Sequence, residues 1–197
     1  GEKLHDLIDL AAKAQIIVCV DNFQNAKDLS EVAIKKGIKI DVLIEVDVGL
    51  KRCGLEPGLP TLQFLQKILD LRGINFKGLM GYEGALFFLT GEEKVKECQK
   101  RNQLLVDTKS LIEAGGIPVE IVSAGGSNTY KITGNCAGVT EIQPGSYVTM
   151  DYWNCTHDID FEPAITVLTS VVSRPTKDRA IIDAGLKAIS TDHDVPK

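Results

Sequence analysis

Short apolar runs recur along the chain, each separated from the next by a stretch with helical periodicity. Residues 16–20 (IIVCV), 41–48 (DVLIEVDV), 76–82 (FKGLMGY) and 119–123 (VEIVS) read as strands. Runs this apolar suit strands covered on both faces, as in parallel sheets flanked by helices. Between them, residues 4–14 place Leu4, Ile8, Ala11 and Ala12 on one helical stripe. Residues 24–36, 62–71 and 92–113 read as further helices, closed by Gly37, Arg72-Gly73 and Gly115-Gly116. Glycine just past a helix supplies the left-handed residue that ends it. Strand–helix alternation of this kind predicts an α/β fold with parallel pairing.

The texture then changes. Residues 138–142 and 147–150 read as a closer strand pair around Gln143-Pro144-Gly145-Ser146. Residues 164–173 (AITVLTSVVS) and 179–183 (RAIID) are β-rich, with a proline-containing turn and no helix between them. The expected organisation is a parallel α/β domain over residues 1–158 and the beginning of a β domain over 159–197. About six strands are legible, and a closed (β/α)8 TIM barrel needs eight. The first helix has no strand before it and the chain does not begin with Met. The expectation is a partial barrel whose first strands are missing, followed by a truncated β domain.

Composition narrows the function classes. With 44% hydrophobic and 25% charged residues, the chain carries enough apolar material for a buried core. A net charge of −5 with scattered lysines argues against nucleic-acid binding, which needs clustered positive charge. No apolar run approaches the length that crosses a bilayer, so no membrane association is expected. The five cysteines form no CxxC pair and suggest reduced thiols in a cytoplasmic protein. His5, His157 and His193 show no metal spacing, and no nucleophile–base signature is visible.

In parallel α/β folds, the working groups lie at the carboxyl ends of the strands. Those ends carry Arg52 in a glycine-flanked turn, Tyr82 in Gly81-Tyr82-Glu83-Gly84, the run Gly125-Gly126-Ser127-Asn128-Thr129, and Gln143-Pro144-Gly145-Ser146. Arg52 suits a phenolate or carboxylate, although a surface ion pair uses the same residue. Tyr82 suits a wall beside a planar ligand, or an ordinary half-buried core position. The two loops rich in Gly, Ser and Thr expose N–H and hydroxyl groups that suit a phosphate, or simply connect strands to helices. Two such loops on neighbouring strands favour the anion site.

Taken together, Glu45-Val46-Asp47-Val48-Gly49 with Arg52-Cys53-Gly54, Gly81-Tyr82-Glu83-Gly84, Ser123-Ala124-Gly125-Gly126 and Thr140-Glu141-Ile142-Gln143-Pro144-Gly145-Ser146-Tyr147 resemble the D-threonine aldolase / D-serine dehydratase family. Ser173-Arg174-Pro175, Asp178-Arg179-Ala180 and Asp183-Ala184-Gly185-Leu186-Lys187-Ala188 continue the likeness in the same order. The resemblance spans nearly the whole chain. It implies an alanine racemase-like, PLP-binding (β/α)8 barrel followed by a β domain, with pyridoxal 5′-phosphate (PLP) as cofactor.

The resemblance further implies that Arg52 approaches the phenolic oxygen of the cofactor and Tyr82 lines its ring. Gly126, Ser127, Thr129, Gly145 and Ser146 would surround the phosphate, with Gln143 in the same cofactor-binding set. Ser127-Asn128-Thr129 stands where many relatives read Thr-Gly-Thr, so the loop is expected to be rebuilt there. The lysine that bonds the cofactor is expected upstream of Gly1, and the ligands of a divalent metal, zinc or manganese, downstream of Lys197. No catalytic residue is therefore assigned within the chain; Lys51 and Lys187 are alternatives that nothing in their context favours. The implied activity is that of a lyase on D-3-hydroxyamino acids, either a D-threonine aldolase or a dehydratase of D-serine or D-threo-3-hydroxyaspartate. A homodimer acting on a small D-amino acid is expected. An amino-acid racemase and a non-catalytic PLP-binding protein remain the alternatives, and the residues present are expected to be inactive by themselves.

Overall fold

The computed structural model describes residues 2–150, 152–155 and 160–189. Its elements run α1 (Glu2–Ala11), β1 (Ile17–Val20), α2 (Phe23–Lys35), β2 (Ile40–Glu45), α3 (Leu59–Ile68), β3 (Ile74–Met80), α4 (Gly91–Ala114), β4 (Ile121–Ala124), α5 (Tyr130–Thr133), β5 (Glu141–Ile142), α6 (Tyr152–Cys155), β6 (Val171–Thr176) and β7 (Arg179–Ile182). Single 3₁₀ turns occupy Gly84–Phe88 and Ser146–Val148. The chain falls into two units, residues 1–144 and 145–197.

In the first unit the strands form one sheet in the order β1-β2-β3-β4-β5, and every pair is parallel. Strand order that follows chain order without reversal is that of a (β/α)8 barrel; a doubly wound sheet would reverse at a switch point. The unit is thus a partial α/β barrel. The structure bears out the alternation, while the element ends shift by a few residues.

Helix starts follow local chemistry. At α2, the Asn22 side chain accepts from the Asn25 N–H at 3.1 Å. At α3, Gly58 precedes a helix with proline in its first turn, and the Gly58 N–H donates to Thr108 Oγ1 at 2.9 Å. The buried stripe of α4 contains Cys98, Asn102, Leu105, Thr108 and Ile112, spaced at helical intervals. Its first part is partly polar and its last part, with Leu105 and Ile112, mostly apolar, so one helix covers both a polar cluster and the core.

The sheet's two faces differ in chemistry. Val20, Val42, Ile44, Leu79, Val122 and Ala124 face the helices and are at most 7% exposed. On the opposite face, register aligns Glu45, Met80, Ser123 and Glu141 across four strands near their carboxyl ends. A bulge between Val42 and Leu43 and their partners Phe76 and Gly78 re-aims β3, so that Gly78 and Met80 share this inner face. Gly78 is required there: a Cβ would lie 1.8 Å from the Ile121 carbonyl oxygen of the neighbouring strand.

Two expected strands are corrected. Residues 147–150 form no strand; the Val148 N–H donates to the Gly145 carbonyl at 3.2 Å and the Met150 N–H to Ser146 at 2.9 Å. These local bonds satisfy groups that a ladder would have used. The expected strand at 138–142 shrinks to Glu141–Ile142 because Gly138 turns the chain at a φ of +97°. Thr140 extends the pairing by other means, since its Oγ1 accepts from the Val122 N–H at 2.8 Å.

In the second unit, β6 and β7 pair antiparallel, in line with the β texture read there. The strand expected from residue 164 begins only at Val171. The Asp183 carboxylate closes the unit's hairpin by accepting from Thr169 Oγ1 at 2.6 Å and the Ser170 N–H at 2.9 Å. His157 and His193 lie outside the described residues.

Candidate functional site

The exit of β2 is a tight loop built on one carboxylate. Asp47 Oδ1 accepts from the N–H groups of Gly49 at 2.8 Å and Lys51 at 3.0 Å. Burial by itself would raise the Asp47 carboxyl, but the N–H groups of Lys51, Gly49 and Leu50 outweigh it and hold it below the ordinary value. The Gly54 N–H then donates to Asp21 Oδ2 at 2.9 Å, tying the loop to the exit of β1. A Cβ on Gly54, whose φ is +104°, would meet the Asp47 nitrogen at 2.6 Å, so only glycine closes the loop.

This loop presents Arg52. Its guanidinium lies 3.7 Å from Glu45 Oε1 and 5.7 Å from the centroid of the Tyr82 ring, with 58% of the side chain exposed. A cation above an aromatic face is attracted by the ring quadrupole. The Glu45 carboxyl is raised, first by burial, against which Arg52 acts in the opposite sense.

Tyr82 stands beyond the end of β3 between two glycines. A Cβ on Gly84 would fall 2.3 Å from Tyr82 Cε1, and one on Gly126 3.1 Å from Cε2. Arg52, Tyr82 and Gly126 are thereby brought together at the carboxyl ends of three successive strands. In the loop after β4, Ser127 and Thr129 are 5% and 4% exposed. The Thr129 hydroxyl accepts from the Gly126 N–H at 3.1 Å and donates to Glu83 Oε1 at 2.7 Å. Lys94, from α4, donates to the Asn128 side chain.

Gln143 follows β5. Its Nε2 donates to Ser123 Oγ at 2.7 Å and its N–H to the Ala124 carbonyl at 3.2 Å. Ser123 in turn donates to Glu141 Oε1 at 2.5 Å. Gly145 and Ser146 belong to the second unit, where they open the 3₁₀ turn and are exposed.

Sequence reasoning did not single out Glu83. It is fully buried, and its carboxylate accepts from Thr129, Thr133 (2.8 Å), the Gly125 N–H (3.2 Å) and the Cys98 thiol (3.7 Å). The one available sequence signal was an acid wedged in Gly-Tyr-Glu-Gly at a strand end, upstream of a loop rich in hydroxyls.

The residues present fit pyridoxal phosphate by donor chemistry and space. Arg52 offers a forked cation to a phenolate, Tyr82 offers an aromatic wall, and Gly126 lets that wall lie against the loop after β4, where a Cβ would stand 3.1 Å from the ring. Fit to a divalent metal is not found: among the described residues no three His, Cys, Asp or Glu side chains gather into a metal site.

Comparison with known proteins agrees with the fold. The family profile "Alanine racemase, N-terminal domain" matches residues 4–152, and "Putative serine dehydratase domain" matches residues 164–197. A D-threonine aldolase from Arthrobacter sp is 36% identical over 195 residues, covering 96% of this chain and 52% of that protein. A 3-hydroxy-D-aspartate aldolase from Paracoccus denitrificans (strain Pd 1222) is 33% identical, over 93% of this chain and 50% of that protein. The crystal structure of D-threonine aldolase from Filomicrobium marinum superposes with a TM-score of 0.91 at 31% identity, covering 98% of this chain and 53% of that one. The chain spans about half the length of the curated relatives it matches. It belongs to the family of the alanine racemase N-terminal domain.

Proposed function

We propose that the complete protein is a PLP-dependent lyase acting on D-3-hydroxyamino acids. The observation that carries the reading is the corner of Arg52, Tyr82 and Gly126 at the strand ends, one cation over one aromatic wall that lies against a glycine of the next loop. Pyridoxal phosphate supplies an electron sink that labilises bonds at the substrate's α-carbon. Within that scheme Arg52 donates to the phenolic oxygen of the cofactor and keeps its ring charge matched. Tyr82 fixes the ring plane, backed by the glycines on either side. Gly126, Ser127 and Thr129 form the loop offered to the phosphate, and Gln143 braces the β4 and β5 exits through Ser123.

Retro-aldol cleavage would yield glycine and an aldehyde; loss of the α-proton and the hydroxyl as water, followed by hydrolysis of the released enamine, would yield a keto acid and ammonia. The relatives at 33–36% identity carry aldolase names, which supports the first. The wider reading includes a β domain from residue 159, a zinc or manganese ion, a homodimer, and residence in the cytoplasm.

The test uses the complete protein. Its intact mass after borohydride reduction with PLP should rise by one reduced cofactor. D-threonine should give glycine and acetaldehyde in equal amounts. Arg52→Ala should weaken PLP retention by about 10- to 100-fold, the worth of a charge-assisted hydrogen bond, with thermal stability unchanged. Loss of optical activity without product release would mean a racemase, and unaltered PLP retention in the variant would remove Arg52 from the site.

A further inference from the structure

We infer that Glu83 is a positioning residue: buried beneath the loop after β4, it holds the Gly125–Thr129 backbone in the shape that receives the cofactor's phosphate. This rests on the PLP-binding reading above and deepens it. Glu83 is 0% exposed and gathers partners from three other parts of the unit: Gly125 and Thr129 in the loop, Thr133 on α5 and Cys98 on α4. Asn102 of α4 buttresses the cluster, donating to Thr133 Oγ1 at 3.0 Å and to Cys98 Sγ at 3.5 Å. Thr133 and Cys98 are themselves fully buried.

The carboxylate carries the sign of a phosphate, so attraction is not its contribution. It acts through geometry. Oε2 fixes the Gly125 N–H at 3.2 Å, where φ is +76°, and Oε1 fixes the Thr129 hydroxyl at 2.7 Å. That hydroxyl accepts the Gly126 N–H at 3.1 Å, so both ends of the loop are pinned to one side chain. Gly126 is also the residue whose missing Cβ makes room beside Tyr82. The pinning thus sets the cofactor's ring wall and its phosphate loop in one frame.

The choice of glutamate follows from donor counting. Four donors converge on one side chain, and an ionised carboxylate has lone pairs for all of them. Glutamine keeps one acceptor oxygen and puts an NH2 in place of the other, so Glu83→Gln strands either the Gly125 N–H at the Oε2 position or the Thr129, Thr133 and Cys98 donors at the Oε1 position, although its volume is conserved.

The experiment titrates the apo form of the complete protein with PLP and, separately, with pyridoxal, which lacks the phosphate, following absorbance of the bound aldehyde. Inorganic phosphate serves as competitor. Glu83→Gln should raise the Kd for PLP by at least roughly tenfold, change that for pyridoxal by less than about twofold, and blunt competition by phosphate. Thr129→Val, tested beside Thr129→Ser, gives a second route if Glu83→Gln does not fold: valine should reproduce the selective loss and serine should restore PLP binding. Equal weakening of PLP and pyridoxal would reduce Glu83 to general structural support and overturn the inference. So would wild-type PLP affinity in Glu83→Gln or in Thr129→Val. A wild-type protein that takes up neither aldehyde would instead defeat the PLP-binding reading itself.

Discussion

Replacing Gly78 with alanine adds one methyl group at the tightest point of the sheet. Its Cβ would stand 1.8 Å from the Ile121 carbonyl oxygen, with the carbonyl carbon at 2.7 Å and the Ile121 nitrogen at 2.9 Å. A carbon–oxygen contact settles near about 3.3 Å, so β3 and β4 must separate by roughly 1.5 Å. The neighbouring bond, from the Glu120 N–H to the Lys77 carbonyl at 3.0 Å, would then stretch beyond hydrogen-bonding range, and its companions along the three-residue pairing would follow. Two broken bonds with partly buried ends cost about 2–6 kcal/mol, against which the stiffer unfolded chain returns only about 0.4–1. A net loss near 3 kcal/mol is expected, large beside the 5–15 kcal/mol that typically holds a domain together. Urea unfolding of the complete protein, followed by circular dichroism, reads this directly. Gly37→Ala is the control, since Gly37 also has a positive φ of +71° yet nothing within 4 Å of its would-be Cβ. A Gly78→Ala variant within about 1 kcal/mol of wild type, or one no worse than Gly37→Ala, would refute the close-approach argument.

Two further outcomes follow from burial and charge. Cys98 is fully buried, and its thiol is pushed up to about 11, first by burial and then by the charge of Glu83, so native iodoacetamide labelling at mildly alkaline pH should modify the exposed Cys53 and spare Cys98 until denaturant is added; mapped peptides labelled equally fast would refute the cluster. Glu45 has a folded carboxyl raised above its ordinary 4.5, chiefly by burial. A raised acid favours folding below the unfolded value and loses that contribution as pH climbs through the folded one. The stability difference between Glu45→Gln and wild type should therefore move in the variant's favour from pH 4.5 upward, and a pH-independent difference in urea midpoints would count against it.

What was readable in the sequence, and what was not, divides along sequence distance. Residues 16–20 and 24–36 announce a strand and a helix from neighbours a few positions apart, and the structure places both within a residue or so. The corner of Arg52 and Tyr82 was reachable because strand ends gather in any parallel α/β fold, although their separation of 5.7 Å was not. Glu83 was beyond reach for a physical reason: its partners Gly125, Thr129 and Thr133 lie 42, 46 and 50 positions away, and an isolated acid gives no sign of which hydroxyls will meet it. The failed strand at 147–150 shows the reverse error, because apolar composition favours pairing while Pro144-Gly145 supplies the local turn that pre-empts it.

The β3 bulge marks where local pattern and site geometry separate most sharply. Counting in twos from Phe76, which pairs with Val42 on the helix-facing side, would send Gly78 to the same side. The bulge inserts Lys77 as the unpaired residue, so Gly78 pairs with Leu43 on the inner face and Met80 with Glu45. From there the chain reaches Tyr82 beside Arg52, and Glu83 falls beneath the loop after β4. A one-residue slip would exchange the two, burying the phenol under α4 and turning the carboxylate toward the cation. Gly78 makes this register possible by letting β3 approach β4 at a point where any side chain would collide with Ile121. The chemistry of the strand ends is therefore set several residues upstream, by one bulge and one missing methyl group in the sheet.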